Sequence, residues 1–381
     1  MHRRRLRILL IFRAPVGGLF RHVHDLARGL SGLGHEVGIV CDSLTGGEAA
    51  ESRLAEAEAY CGLGVHRLPM HRMPGLGDLA AARAVRRHCA GLSPDILHGH
   101  GAKGGAYARL AARGLGARAF YTPHGGSLHF EWKSAQGAVF LTTERLLLPR
   151  TDGFLFVCEF ERQAFAAKLG LGKVPSLVAH NGLWPEEFSE VPIGSRASDV
   201  LFIGELRDLK GVDVLLDALG HLDRSGRPVT ATIVGGGAMR ADYEAQAARL
   251  GLASKVNFAG PLPARQAFAL GRLFVVPSRA ESFPYVILEA VAAGKAVIAS
   301  DVGGIGEMLP AANLVPAGDP QALAQAIRAG LDDLDSLRSA ELRSTFRARF
   351  SASAMAEAVR DFYAKILAGK EATTDQIGAA R

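Results

Sequence analysis

The sequence predicts an α/β protein made of two Rossmann-like domains, each built on a parallel sheet, with the two sheets facing across a cleft. Length is the first reason: 381 residues at roughly 100 to 200 per domain suit two domains, and 48% hydrophobic residues are ample for two cores. Alternation is the second, because short apolar runs are followed repeatedly by helical stripes, the signature of βα units and a parallel sheet. The third is a single break in that rhythm at Asn181-Gly182-Leu183-Trp184-Pro185, a cluster of turn residues that places a domain boundary there. The expected division is residues 1–185, then 186–365, then a frayed tail at 370–381.

In the first half, residues 6–12 form an apolar strand. After Pro15-Val16-Gly17-Gly18 comes a helix with Phe20, Val23, His24, Ala27 and Leu30 on one stripe. Strands are then expected at 37–41, 65–68, 95–98, 118–121, 153–157 and 176–179, with helices at 48–60, 78–90, 103–113 and 138–148 between them. The second half restarts with a strand at 200–203 and a helix placing Val212, Leu215, Leu216, Leu219 and Leu222 on one face. Further strands fall at 229–234, 256–258, 273–276, 296–299 and 314–315, and a closing helix at 351–367 is expected to pack back on the first domain.

Composition excludes several classes. With 22% charged and 7% aromatic residues, the chain is neither low-complexity nor collagenous. No apolar run approaches the roughly 20 residues of a spanning helix, and the basic start lacks a signal peptide's long apolar stretch and cleavage site, so the chain reads as cytoplasmic. Cys41, Cys61, Cys89 and Cys158 are scattered singly and read as core residues rather than a disulfide framework or zinc site. The net charge of +6 is uneven: basic residues are in excess up to the domain boundary, and acidic residues slightly so after it. No aromatic-interleaved basic stripe accompanies the excess, so nucleic acid is not an expected partner. Arg3, Arg4, Arg5 and Arg7, with Arg83, Arg86 and Arg87, make an anionic membrane surface a candidate partner, ordinary solubilising charge being the other reading.

The most specific constellation is Glu281-Ser282-Phe283-Pro284-Tyr285-Val286-Ile287-Leu288-Glu289, which follows an apolar strand and opens an apolar helix. Pro284 suits a first helical position. The N–H groups of Tyr285, Val286 and Ile287 would then face an anion at the positive end of the helix dipole. Glu281 and Glu289 can each accept paired hydrogen bonds from vicinal sugar hydroxyls without a metal, although Glu289 also reads as a solvated helix residue. Gly17 and Gly18 allow a loop to approach a ligand closely. His124, after a strand and before two glycines, can project its imidazole into the cleft. His98-Gly99-His100 lacks a partner at ligand spacing, and Asp333-Leu334-Asp335 reads as a solvated face, so no metal and no cofactor are expected.

Glu281 to Glu289 after Val276-Pro277-Ser278, Gly303-Gly304-Ile305-Gly306-Glu307, and Gly204 followed by Lys210-Gly211 together resemble the retaining glycosyltransferases of family 4, of the GT-B fold. So do Gly17-Gly18, Thr122-Pro123-His124-Gly125-Gly126, Asn181-Gly182 and Gly235-Gly236-Gly237, in the same order along nearly the whole chain. The resemblance implies that Glu281 holds hydroxyls of a donor sugar and Glu289 the ribose of its nucleotide. By the same resemblance the backbone of Phe283, Pro284, Tyr285, Val286 and Ile287 holds the sugar and diphosphate, with Lys210 on the phosphates and His124 beside the reacting carbon. Gly17, Gly18 and Gly235 would line the donor. One departure stands out: where the family has an arginine directly after the glycine, this chain has Glu205, and the nearest arginine is Arg207, which would supply the second cation from a shifted position.

The implied activity is metal-independent transfer of a hexose, with retention, from a UDP- or GDP-linked donor to a hydroxyl of a saccharide or lipid-linked acceptor in bacterial surface-polysaccharide synthesis. A nucleotide-sugar epimerase on the same fold, or a nucleotide-sugar-binding protein without turnover, are the alternatives. Trp132, with Phe130 and Lys133 after His124, would either cap an acceptor sugar or cover core.

Overall fold

The computed structural model describes residues 4–73, 75 and 77–378, in two compact units: residues up to Asn181 together with those from Ala352 onward, and Gly182–Ser351. The first unit contains β1 (Arg7–Phe12), α1 (Gly17–Gly32), β2 (Glu36–Asp42), α2 (Glu48–Glu58), β3 (Val65–Leu68), α3 (Gly77–Leu92), β4 (Ile96–His100), α4 (Gly101–Ala112), β5 (Arg118–Thr122), α5 (Ala135–Leu147), β6 (Gly153–Phe156), α6 (Glu159–Leu169) and β7 (Ser176–Val178). Its seven strands run parallel in the order β3-β2-β1-β4-β5-β6-β7. The second unit contains β8 (Ser198–Ile203), α7 (Val212–Arg224), β9 (Ala231–Val234), α8 (Arg240–Arg249), β10 (Val256–Gly260), α9 (Ala264–Ala267), β11 (Gly271–Val276), α10 (Tyr285–Ala292), β12 (Ala296–Ser300), β13 (Leu314–Val315), α11 (Pro320–Asp332) and α12 (Ala340–Arg349). Its six strands are parallel too, in the order β10-β9-β8-β11-β12-β13.

Both sheets are covered on two faces, so their central strands are apolar throughout rather than alternating. Residues 8–12 of β1 are fully buried, as are Val297 and its neighbours in β12. In each sheet the strand order reverses beside the first strand of the unit, between β1 and β4 and between β8 and β11. Ligands in open parallel sheets gather at this reversal, outside the carboxyl ends of the strands.

The last helix, α13 (Ala352–Gly378), belongs to the first unit. Met355, Ala356, Val359, Phe362 and Tyr363 recur at helical spacing and are buried in one cluster with Ile8, Leu10 and Phe12 of β1 and with Val23 and Leu26 of α1. The helix continues to Gly378, through most of the stretch that sequence reading leaves as a frayed end. That stretch is free of proline up to Gly378, so no residue in it removes a helical N–H donor. The helix α6 is not expected from the sequence. Only Glu161, Phe165 and Leu169 of it are buried, too short a stripe to show as a period. All four cysteines are buried.

Candidate active site

Each candidate residue follows the carboxyl end of a strand, and strand order decides which of them meet. In the first unit β1, β4 and β5 are neighbours. Their ends carry α1 with His22, then His98 and His100, then Thr122-Pro123-His124. His100 Nδ1 and His124 Nε2 lie 3.1 Å apart, and the His22 ring stands 4.7 Å from that of His124 and 5.4 Å from that of His100, centre to centre. His22 Nδ1 is bonded to Asn181 Oδ1 at 2.8 Å. His98 belongs to a different set: its ring nitrogens meet Tyr363 Oη of α13 at 2.6 Å and Thr122 Oγ1 at 2.8 Å.

Burial keeps these rings neutral. His22 is pushed down to about 4 by desolvation, only partly offset by its bond to Asn181. His124 is held well below the usual imidazole range by burial and by the neighbouring His22 and His98, and His100 by burial and by His98, His124 and His22. A neutral imidazole offers one donor and one lone pair, which suits hydrogen bonding to a sugar more than acid catalysis.

His124 sits at φ 54°, a left-handed conformation that costs a non-glycine residue free energy and persists where surroundings enforce it. Enforcement comes from Glu161 of α6, whose carboxylate accepts from the N–H of Gly125 and, at 3.1 Å, from that of Val157. Burial raises this carboxyl to about 7 against the lowering effect of those two bonds. Glu161 and His22 are the site residues that sequence reasoning missed. Neither lies in a glycine-flanked motif, and the stripe read along α1 included His24 while His22 is the more deeply buried. Gly17 and Gly18 open α1, with Gly17 at φ 68°, and both are exposed. Trp132 is 37% exposed, with the Arg145 guanidinium 4.8 Å from its ring centre.

In the second unit β8, β11 and β12 are neighbours, and β9 lies on the other side of β8. Lys210 ends a one-turn helix after β8, and its Nζ bonds Glu281 Oε1 at 2.5 Å, while Ser278 Oγ donates to the same oxygen at 2.8 Å. The side chains are 20% and 11% exposed, so the pair is partly screened from water yet reachable. The loop after β12 locks the position of Glu281. Gly303 stands at φ 60°, and a Cβ there would lie 1.6 Å from the Glu281 carbonyl oxygen, while Gly304 N–H donates to Ser282 O at 2.8 Å. Gly235, after β9, is likewise a forced glycine, since a Cβ would stand 1.8 Å from Gly204 O.

The start of α10 differs from expectation in two ways. Pro284 is extended (φ −74°, ψ 121°) and immediately precedes the helix rather than opening it. Ile287 N–H donates to Pro284 O at 3.2 Å, so a tightened first turn takes that amide out of the set expected to face an anion. Phe283, Tyr285 and Ile287 are buried, with Phe283 packed on Phe350, whereas Val286 and Glu289, three apart on one face, are half-buried. Arg207 points its Nε at Glu205 Oε2, 3.3 Å away, and the two side chains are 50% and 61% exposed. Arg207 is therefore near Lys210 in sequence but engaged with the very residue that replaces the expected arginine.

Two units, each a doubly wound parallel sheet, make the GT-B architecture, and two family models give the class as glycosyltransferase. The family model described as Glycosyl transferase 4-like domain matches residues 17–182, and that described as Glycosyl transferases group 1 matches residues 197–333. The chain belongs to the GT-B glycosyltransferases of family 4.

Among curated proteins it is similar to glycogen synthase of Mycobacterium tuberculosis, 28% identical with 84% of this chain and 83% of that protein covered. It is also similar to D-inositol 3-phosphate glycosyltransferase 1 of Catenulispora acidiphila, 29% identical with 86% of each covered. Its fold is shared with Anabaena HepE, solved in complex with UDP and glucose (TM-score 0.81, 21% identity, 94% of this chain and 100% of that one). Sucrose-phosphate synthase of Thermosynechococcus elongatus shares it as well (TM-score 0.79, 20% identity, 96% and 100%).

Proposed function

We propose that this chain is a retaining hexosyltransferase that takes a sugar from a UDP- or GDP-linked donor and passes it to a hydroxyl of a saccharide or lipid-linked acceptor in surface-polysaccharide synthesis. The observation that carries the reading is the Lys210–Glu281 pair beside the start of α10. A cation, a helix N-terminus and a carboxylate are there held within one loop cluster, which suits a diphosphate joined to a sugar. HepE, which shares the fold, was solved in complex with UDP and glucose, and this agrees with such a donor.

In the proposed reaction the bond from the anomeric carbon to the phosphate oxygen breaks, and the acceptor oxygen bonds to that carbon on the same face. The acceptor's proton passes to the departing phosphate. Lys210 offsets the charge that grows on the phosphate, so no divalent cation is required for this step. Glu281 would hold sugar hydroxyls, Glu289 the ribose, and neutral His124 would hydrogen-bond the sugar as positive charge develops at its ring. Arg207 supplies a second phosphate contact only on leaving Glu205, which makes that contact dependent on the donor. Gly17, Gly18 and Gly235 leave room at the donor.

An anionic membrane surface at the inner face of the cytoplasmic membrane is the partner we propose for α3, where Arg83, Arg86 and Arg87 are exposed. The N-terminal arginines contribute less than the sequence suggests. Arg4 pairs with Asp95 at 2.6 Å and Arg5 with Glu36 at 3.2 Å, Arg7 also pairs with Glu36, and Arg3 lies outside the described residues. No helix among the described residues is long and apolar enough to cross a membrane.

The test is a thermal-shift screen against nucleotide sugars, followed by transfer to candidate acceptors with the product's anomeric configuration read by NMR. One nucleotide sugar raising the melting temperature, with the donor's configuration kept in the product and turnover unchanged by EDTA, is the expected outcome. Inverted configuration would reject retention, donor consumption without acceptor would favour an epimerase, and donor binding with no transfer to any acceptor would favour a binding protein.

A further inference from the structure

We propose that His22, His100 and His124 form a binding site for one divalent cation of the zinc class, and that filling it blocks sugar transfer. His100 ends β4, His124 follows β5 and His22 lies on α1, the helix after β1, and each ring offers one nitrogen, all within 4.8 Å of one another. In a tetrahedral zinc site with Zn–N near 2.0–2.1 Å, donor nitrogens stand about 3.3 Å apart. The 3.1 Å between His100 Nδ1 and His124 Nε2 is close to that spacing; the proton shared between them would move to the far nitrogen of its ring, freeing both lone pairs, and His22 would swing in.

Two further features fit a cation of this kind. The donor set is three imidazoles without a carboxylate or thiol, which favours zinc, cobalt, nickel or copper over magnesium or calcium. His22 is held from behind by Asn181 at 2.8 Å, the outer-shell contact that orients a metal-bound imidazole and fixes its tautomer. The third ligand is invisible from the His98-Gly99-His100 spacing because it arrives from α1, while His98 is taken up by Tyr363 and Thr122.

The blocking effect rests on the role proposed above for His124: a ring nitrogen committed to a cation cannot also hydrogen-bond the sugar. Three protein ligands leave the fourth position of a tetrahedral ion to water or a hydroxyl.

The experiment uses the untagged full-length chain, stripped with chelator and titrated with Co2+, with stoichiometry from equilibrium dialysis and geometry from the visible absorption of tetrahedral Co2+. One Co2+ per chain, displaced by Zn2+, is expected. His22→Asn and His100→Asn should each weaken binding at least tenfold, Asn181→Asp should tighten it several-fold, and His66→Asn, in the stacked His66–His88 pair, should leave it unchanged. Asn181→Asp keeps the test decisive if a histidine variant folds poorly. Zn2+ at saturating concentration should stop transfer by the wild type, EDTA should restore it, and His22→Asn should resist inhibition relative to its own metal-free rate. No stoichiometric binding, or binding that His22→Asn and Asn181→Asp leave unchanged, overturns the site. Stoichiometric binding with transfer undiminished overturns the blocking effect and the placement of His124 at the sugar, while leaving the Lys210–Glu281 donor site standing, since nucleotide binding reads that separately.

Discussion

At the scale of single residues the proposed donor site depends on charges that hold one another in place. Lys210 and Glu281 share a hydrogen bond that also recruits Ser278, so removing either partner leaves the other misdirected and half desolvated. Lys210→Ala and Glu281→Ala should each lower turnover about a hundredfold or more, the scale of losing one preorganised electrostatic contact. Steady-state kinetics of the two variants check this, and near wild-type rates in both would reject the assignment. Glu161 acts at one remove, through the turn that carries His124. Its carboxyl titrates near 7 in the fold against an ordinary 4.5, so the acid form favours folding: its contribution is fully present below about 4.5 and is lost as pH rises through 7. Glu161→Gln cannot ionise. The stability advantage of the wild type over this variant should therefore shrink across that window by on the order of 3 kcal/mol, measured by urea unfolding at a series of pH values. A difference that stays constant from pH 4.5 to 7.5 would contradict it.

At the scale of elements, strand ends and the loops after them set the chemistry. Gly303 is the sharpest case, because both its φ of 60° and the 1.6 Å approach to Glu281 O exclude a side chain. Gly303→Ala should destabilise the second unit by more than about 2 kcal/mol and weaken nucleotide binding, read together by urea unfolding and calorimetry. Unchanged stability would show that the loop after β12 does not fix Glu281. The strands themselves were legible, since parallel strands buried on both faces are continuous apolar runs such as 8–12 and 296–299. That Glu281 and Lys210 meet, and that Gly303 and Gly235 admit no side chain, concerns positions the sequence already marks by their motifs. His22 and Glu161 are not legible in this way, because what brings them to the cluster is strand order: β1 lies beside β4, β4 beside β5 and β5 beside β6, and nothing in local periodicity records that. The opening of α10 was misread by one residue because Pro284 satisfies either side of a helix boundary until the Ile287 N–H to Pro284 O bond is known.

At the scale of the whole molecule the chain is two units that are not simply two halves, because α13 returns to the first. Its buried face shares a core cluster with β1 and α1, and Tyr363 holds His98 at the carboxyl edge of β4. Truncation before Ala352 should expose Met355's partners in that core and leave a first unit that aggregates or unfolds without cooperativity, read by size-exclusion chromatography and thermal melts. A truncated chain that melts like the intact one would show α13 to be dispensable. The central claim remains that the second unit grips the departing diphosphate. A crystal structure with a nucleoside diphosphate tests it most directly. The account predicts phosphate oxygens within hydrogen-bonding distance of Lys210 Nζ and at the start of α10, with the ribose on Glu289. A diphosphate bound away from Lys210 and that helix start would contradict it.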